Sequence, residues 1–116
     1  ITWTKHDEPV FEGGVDWDGG SVGNPQVVRS ADGYTMVYRT EGGGFGFGLA
    51  RSPDGTTWEP SSANPVMTED RSPSGEPFWQ SEATVIDEEI RWWLEVGFGS
   101  GTTDLYAYRL DVDDAW

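Results

Sequence analysis

The residues of this chain that could carry chemistry are mainly carboxylates. The sequence contains no Cys, which excludes disulfides, zinc–thiolate sites and cysteine nucleophiles. Its only histidine is His6, so a Ser–His–Asp arrangement would depend on that one residue. Asp and Glu together number 21. Carboxyl groups can donate and accept protons or bind a cation, so the acidic residues are the first candidates for a site.

Two of these carboxylates, Asp16 and Asp18, flank Trp17 and are followed by two glycines. This run is too short for a calcium loop and lacks the spaced ligands that such a loop needs. No metal site and no cofactor are therefore predicted. We expect a solvated acidic turn, with binding of a substrate by both side chains as the alternative.

The net charge of −14 limits the partners of the chain, because acidic residues outnumber basic ones 21 to 7. Such a surface repels the phosphate backbone of nucleic acids and the headgroups of anionic membranes. We expect neither nucleic acid nor a membrane as a partner. No apolar run is long enough to cross a bilayer.

The elements that would position these residues belong to an internal repeat, whose second copy follows the first by 58 residues. In each copy, three runs alternate apolar and polar residues with a period of two, which predicts strands joined by Gly- and Asp-rich turns. The predicted strands are Gln26–Ser30, Tyr34–Thr40 and Phe45–Ser52 in the first copy, and Thr84–Asp87, Arg91–Phe98 and Leu105–Leu110 in the second.

A fourth, outer element follows the first copy at residues 56–67, and the chain opens with a similar element at residues 1–11. The predicted fold is therefore all-β, built of antiparallel four-stranded meanders of the kind that form the blades of a β-propeller. Residues 1–116 form one two-blade unit, with the strand order D-ABCD-ABC. Residues 1–11 supply an outer strand for another blade, residues 22–67 form the first blade, and residues 80–116 form the second, whose fourth strand is incomplete.

Two blades cannot close a ring, and their open faces and edges favour association. We expect a homo-oligomer in which Ile1–Thr4 completes the last blade of a neighbouring copy, with three copies preferred over two. The alternative is that the chain is part of a longer propeller.

The motifs of the first copy resemble those of the five-bladed propeller glycosidases, the group of arabinanases, β-xylosidases, levansucrases and invertases. The resemblance is nearly continuous in the first copy and looser in the second. The motifs that carry it are Trp17-Asp18, Pro25-Gln26-Val27-Val28, Asp32-Gly33-Tyr34-Thr35-Met36-Val37-Tyr38, Ala50-Arg51-Ser52-Pro53-Asp54-Gly55-Thr56-Thr57-Trp58 and Asn64-Pro65-Val66.

The resemblance implies a site near the start of the first strand of each blade, where such enzymes place their carboxylates. Glu82 falls where the family has its general acid, which makes it the candidate catalytic residue. Asn24 stands where many relatives have Asp, and an amide can bind a sugar hydroxyl but cannot exchange protons near neutral pH. Trp17 and Trp79 precede the same strands and could stack on sugar rings, with packing between blades as the alternative.

Three functions follow from these residues. The favoured one is a propeller that binds carbohydrate and has an incomplete catalytic apparatus, so the chain is interpreted as a binding protein more readily than as an enzyme. The second is a glycoside hydrolase whose site assembles at the oligomer axis with Glu82. The third is a protein-interaction scaffold.

Overall fold

The computed structural model describes residues 1–14, 17–40, 46–71, 78–86, 89–97, 101–111 and 116, with residues 79–81 and 85 described by their backbone alone. Within these ranges the structure is all-β and contains one short 3-10 turn at Glu69–Arg71 and no α-helix. The strands are β1 (Val22–Ser30), β2 (Gly33–Thr40), β3 (Gly46–Ser52), β4 (Glu59–Pro60), β5 (Met67–Thr68), β6 (Phe78–Ile86), β7 (Glu89–Val96) and β8 (Asp104–Asp111).

The strands form two antiparallel sheets. In the first sheet the order is β1-β2-β3-β4, and β5 pairs with the other end of β3. In the second sheet the order is β6-β7-β8. The predicted outer strand of the first copy is thus split into two short strands. Ile1–Thr4 belongs to no strand of either sheet.

The core lies between the two sheets, because one face of each is apolar and the two apolar faces meet. Val37 and Leu49 of the first sheet share one buried cluster with Ile90 and Leu94 of the second. At its centre the ring of Phe47 stacks on that of Phe78 at 4.9 Å and meets the edge of Trp92 at 4.7 Å. Because side chains alternate along a strand, these residues follow the period of two seen in the sequence.

Each sheet has a second face, and the two second faces differ. That of the first sheet buries Met36, Tyr38 and Ala50 beneath a partial cover that includes Phe11 and Trp17. That of the second sheet is open among the described residues, and its Trp93 and Leu105 are exposed. We call the latter the open face; it also carries Glu82, Glu95 and Ala107.

Matching cross-strand pairs show how the two sheets correspond. Val37 pairs with Leu49 in the first sheet as Trp93 pairs with Ala107 in the second, and the hairpin loops 31–32 and 87–88 have equal length. β8 therefore follows β3 by 58 residues, as predicted, whereas β6 and β7 follow β1 and β2 by 56. The connection 97–103 is longer than 41–45 by two residues, which restores the spacing.

Candidate functional site

The residues predicted to line a site lie on β1 and β6, the two first strands, which contact one another across the sheets. Both strands begin earlier than the sequence indicated, at Val22 and Phe78, and each contains a bulge. Asn24 and Glu82 therefore lie inside strands and do not precede them. The prediction of shorter strands was wrong because a bulge interrupts the alternation that marks a strand in the sequence.

Asn24 occupies the bulge of β1 and has a φ of 47°, the only positive φ of a non-glycine residue in the described part of the chain. Asn tolerates this left-handed conformation better than most residues, and such conformations are frequent at functional sites. The Asn24 side chain is exposed and lines a cavity of about 160 Å³ together with Ser21 and Arg39. Arg39 is buried, so a positive charge forms part of the cavity wall.

Glu82 lies on the open face of the second sheet, directly across from Trp93 of β7. Its side chain is exposed. By the matching pairs, the residue of the first sheet that corresponds to Glu82 is Gln26, which lies across from Val37. The spacing of 58 residues would instead have matched Glu82 with Asn24, so the register of the hairpins corrects that correspondence.

Asp18 was predicted to lie in a solvated turn, and this prediction was wrong, because its side chain is 2% exposed. Its Oδ1 accepts hydrogen bonds from the backbone N–H groups of Gly14 at 3.0 Å and Gly20 at 2.8 Å. Its carbonyl oxygen accepts another from the Thr40 hydroxyl at 2.6 Å. This carboxylate therefore holds its own turn against β2, while Asp16 lies outside the described residues.

Trp17 packs against the first sheet. Its ring lies 5.9 Å from that of Tyr38, and a Cβ at Gly48 would come within 2.6 Å of it. Gly48 thus allows the close packing that we expected of the glycine-rich segment. The side chain of Trp79 lies outside the described residues.

Asn64 is a structural residue that the sequence did not reveal. Its side-chain Oδ1 accepts a hydrogen bond from the N–H of Leu49 at 2.8 Å, and its Nδ2 donates to the carbonyl of Leu49 at 2.9 Å and to the Tyr38 hydroxyl at 3.1 Å. Leu49 lies on β3 between the parts paired with β4 and β5. The amide of Asn64 therefore replaces a strand partner at this gap. Burial, reinforced by the negative charge of Asp18, raises the pKa of Tyr38 to about 12, which keeps its hydroxyl protonated.

The turn after β3 is organised by Asp54. Its Oδ1 accepts hydrogen bonds from the backbone N–H groups of Thr56 and Thr57, each at 2.8 Å, and from the Ser52 hydroxyl. These donors hold the pKa of Asp54 well below its usual range. The Trp58 indole N–H donates to the Gly55 carbonyl at 3.1 Å, which confirms the prediction that this Trp anchors the hairpin.

This arrangement predicts a loss of stabilisation in acid. Because the pKa of Asp54 is lowered in the folded state, its ionised form contributes stability above the pKa of the unfolded state, about 3.9, and that contribution fades as the pH falls further. We expect the Tm difference between the wild type and Asp54→Asn to be largest near pH 6 and to shrink toward pH 2. Thermal unfolding followed by circular dichroism across this range measures it.

Thr57→Val is the matched control for this measurement, since it removes the Thr57 hydroxyl and keeps the backbone donor. Its Tm difference from the wild type should not vary with pH in this way. A Tm difference for Asp54→Asn that stays constant from pH 6 to pH 2 would contradict the assignment.

The largest cleft in the described part of the chain measures about 800 Å³ and lies at the opposite end of the first sheet from Asn24. Tyr34, Trp58 and Trp116 contribute aromatic surface to it. Its basic side chain Arg51 is held by Glu59 at 3.0 Å and by the ring of Trp116 at 4.9 Å. The two tryptophans occupy corresponding positions in the repeat.

Two kinds of site were searched for without result in the part of the chain that the structure covers. No cluster of three or more His, Cys, Asp or Glu residues there could hold a metal ion. None of the helical structure described is long and apolar enough to cross a membrane.

Comparison with solved structures shows a similarity to a glycosyl hydrolase from Bacteroides ovatus. The TM-score is 0.65 at 18% identity, and the alignment covers 82% of this chain and 30% of that one. No family model and no curated protein matches the chain. The chain therefore has a glycosidase-like all-β fold and spans less than a third of the length of the enzyme that it matches.

Proposed function

We propose that this chain is a carbohydrate-binding unit built of propeller blades of the glycosidase type, with an incomplete catalytic apparatus. The observation that carries the proposal is the Asn24 cavity, where an exposed amide in a left-handed bulge stands beside the buried guanidinium of Arg39. The similarity of the fold to a glycosyl hydrolase supports the ligand class.

The chemistry of the cavity suits a sugar. The Asn24 amide offers both a donor and an acceptor, which match the hydroxyl groups of a sugar ring. The guanidinium of Arg39 adds a positive charge that favours electron-rich ring and hydroxyl oxygens. A cavity of about 160 Å³ has room for part of one sugar unit, so an oligosaccharide would enter it with one end.

The incomplete apparatus is inferred from the amides on the two first strands. Hydrolysis of a glycosidic bond needs two carboxyl groups, one as acid and the other as base or nucleophile. Asn24 is an amide, and so is Gln26, the residue of the first sheet that corresponds to Glu82. Asp18 is committed to backbone donors. Glu82 is left as the single candidate acid among the residues considered.

The proposal predicts that Asn24→Gly weakens sugar binding by about tenfold, the loss expected for one or two hydrogen bonds. Glycine accepts a φ of 47° without strain, so this variant removes the amide and keeps the bulge. Isothermal titration with arabino-, xylo- and fructo-oligosaccharides measures the affinity, and the release of reducing ends measures hydrolysis. We expect binding without hydrolysis.

Glu82→Gln is the matched control, because it changes a carboxylate of the neighbouring first strand without altering its size. It should leave binding at the Asn24 cavity unchanged. Equal affinities of the wild type and Asn24→Gly for every sugar that binds would contradict the proposed site, and a wild type that binds no sugar would contradict the proposed function.

The second candidate is a glycoside hydrolase that uses Glu82, and the exposed pair of Glu82 and Trp93 favours it. A carboxyl group beside an aromatic face could protonate a leaving oxygen while the ring holds the sugar. Several copies around an axis would have to supply the second carboxylate. Hydrolysis by the wild type that Glu82→Gln abolishes would establish this function in place of the first.

Either function requires further blades to close a ring. We propose that copies of this chain supply them, with three copies preferred over two and with Ile1–Thr4 pairing with a neighbouring copy. The exposure of Ile1 and Trp3 supports this assignment.

A further inference from the structure

We propose that the open face of the second sheet docks a second copy of this chain, head to tail, and that Trp93, Leu105 and Glu82 form the contact. This inference deepens the proposed ring assembly and does not depend on the sugar site. It rests on the correspondence between the two sheets, which identifies this face as the counterpart of one that is already packed inside the chain.

Residues of the open face correspond to buried residues of the first sheet. Trp93 is 40% exposed, and its counterpart Val37 is 0% exposed. Leu105 is 74% exposed, and its counterpart Phe47 is also 0% exposed. In the first sheet these positions pack on the second sheet. The same face recurs one repeat later without a partner among the described residues.

The receiving surface follows from the same correspondence. Inside the chain, the face of the second sheet that packs on the first includes Ala83 and Ile90, which are 7% and 1% exposed. Their counterparts on the second face of the first sheet are Val27 and Tyr34. Val27 is 50% exposed, and Tyr34 borders the cleft of about 800 Å³. This part of the face lies away from the end that Trp17 covers.

Charge favours the same pairing. Arg29 stands beside Val27 on the receiving surface, next along the strand on the same face, and its side chain is exposed. Glu82 and Glu95 belong to the open face. In a chain with a net charge of −14, copies repel one another in general, so an arginine that meets these carboxylates selects one orientation.

The two surfaces differ from each other, so the contact is heterologous. Each copy presents the open face to one neighbour and the receiving surface to another, which yields a ring if the rotation closes. A second copy is the occupant to which the repeat points, because the required partner is a sheet with the chemistry of this chain's own first sheet.

Light scattering on a sizing column at several concentrations tests the proposal. We expect a wild-type mass above the 12.8 kDa of one chain, rising with concentration. Leu105→Asp should weaken association at least tenfold. Val10→Asp, at an exposed apolar residue outside both sheets, is the matched control and should associate like the wild type.

A charge exchange tests the orientation. Glu82→Arg and Arg29→Glu should each weaken association, and the double variant should restore it. All of these positions are exposed, and circular dichroism checks that each variant folds. A wild type that stays monomeric at every concentration, or a Leu105→Asp variant that associates like the wild type, would overturn the proposal. Sugar titration of the Leu105→Asp monomer tests the Asn24 cavity separately.

Discussion

Replacing Gly33 with alanine is expected to lower the free energy of unfolding by about 4 kcal/mol, since steric overlap and backbone strain each cost about 1–3 kcal/mol. Gly33 begins β2 with a φ of 134°, a conformation that residues with a side chain rarely adopt. A Cβ there would overlap the carbonyl oxygen of Ser52 and lie 2.9 Å from the Cα of Pro53. Both neighbours are backbone atoms, so no side-chain rotation relieves the overlap. Urea unfolding followed by tryptophan fluorescence measures the change.

Gly14→Ala is the matched control for Gly33→Ala. Gly14 has no atom within 4 Å of an added Cβ, and its N–H donor to Asp18 is kept in alanine. Its free energy of unfolding should stay within about 0.5 kcal/mol of the wild type or rise. A loss of less than about 1 kcal/mol in Gly33→Ala would mean that the chain enters β2 differently.

Replacing Asn64 with alanine should cost about 3 kcal/mol, because it leaves buried backbone groups without partners. The Asn64 amide satisfies both the N–H and one lone pair of the carbonyl of Leu49, and it also binds the Tyr38 hydroxyl. Leu49 is fully buried, so water cannot easily replace these bonds. Differential scanning calorimetry should show a lower Tm for Asn64→Ala.

Asn64→Asp separates the two halves of this interaction. The carboxylate can still accept from the Leu49 N–H, but it cannot donate to the Leu49 carbonyl. At neutral pH we therefore expect a loss comparable to that of alanine, and a partial recovery at acidic pH, where the protonated acid regains a donor. Asn24→Gly, at an exposed Asn, should leave the Tm nearly unchanged. Equal Tm values for Asn64→Ala and the wild type would contradict this role.

The all-β class was predictable because its signal is local. Alternating residues in β2, β3, β7 and β8 and the short turns between them mark hairpins directly. The starts of β1 and β6 were not predictable in this way. Each lies beyond a bulge, where the alternation changes phase, and the Pro25 of β1 is itself a residue that argues against a strand.

The candidate site was predictable in part. Asn24 was singled out by its place before a Pro, and the structure gives it an exposed position in a bulge beside a cavity. The roles of Asp18 and Asn64 were not predictable. Each depends on backbone groups whose positions are set by the fold, such as the Gly14 and Gly20 N–H groups for Asp18. A sequence shows that a residue is polar, but it does not show which donors will surround it.

The two-residue difference between the hairpin and the outer strand of the repeat limits how such a chain can evolve. A shift of two residues keeps every side chain on its own face of the sheet, whereas a shift of one would move the core residues of β7 into solvent. The insertion in the connection 97–103 and the opposite shift of β6 and β7 therefore change length in steps of two. Among related repeats, drift in length should accordingly favour even numbers in the connections that precede paired strands.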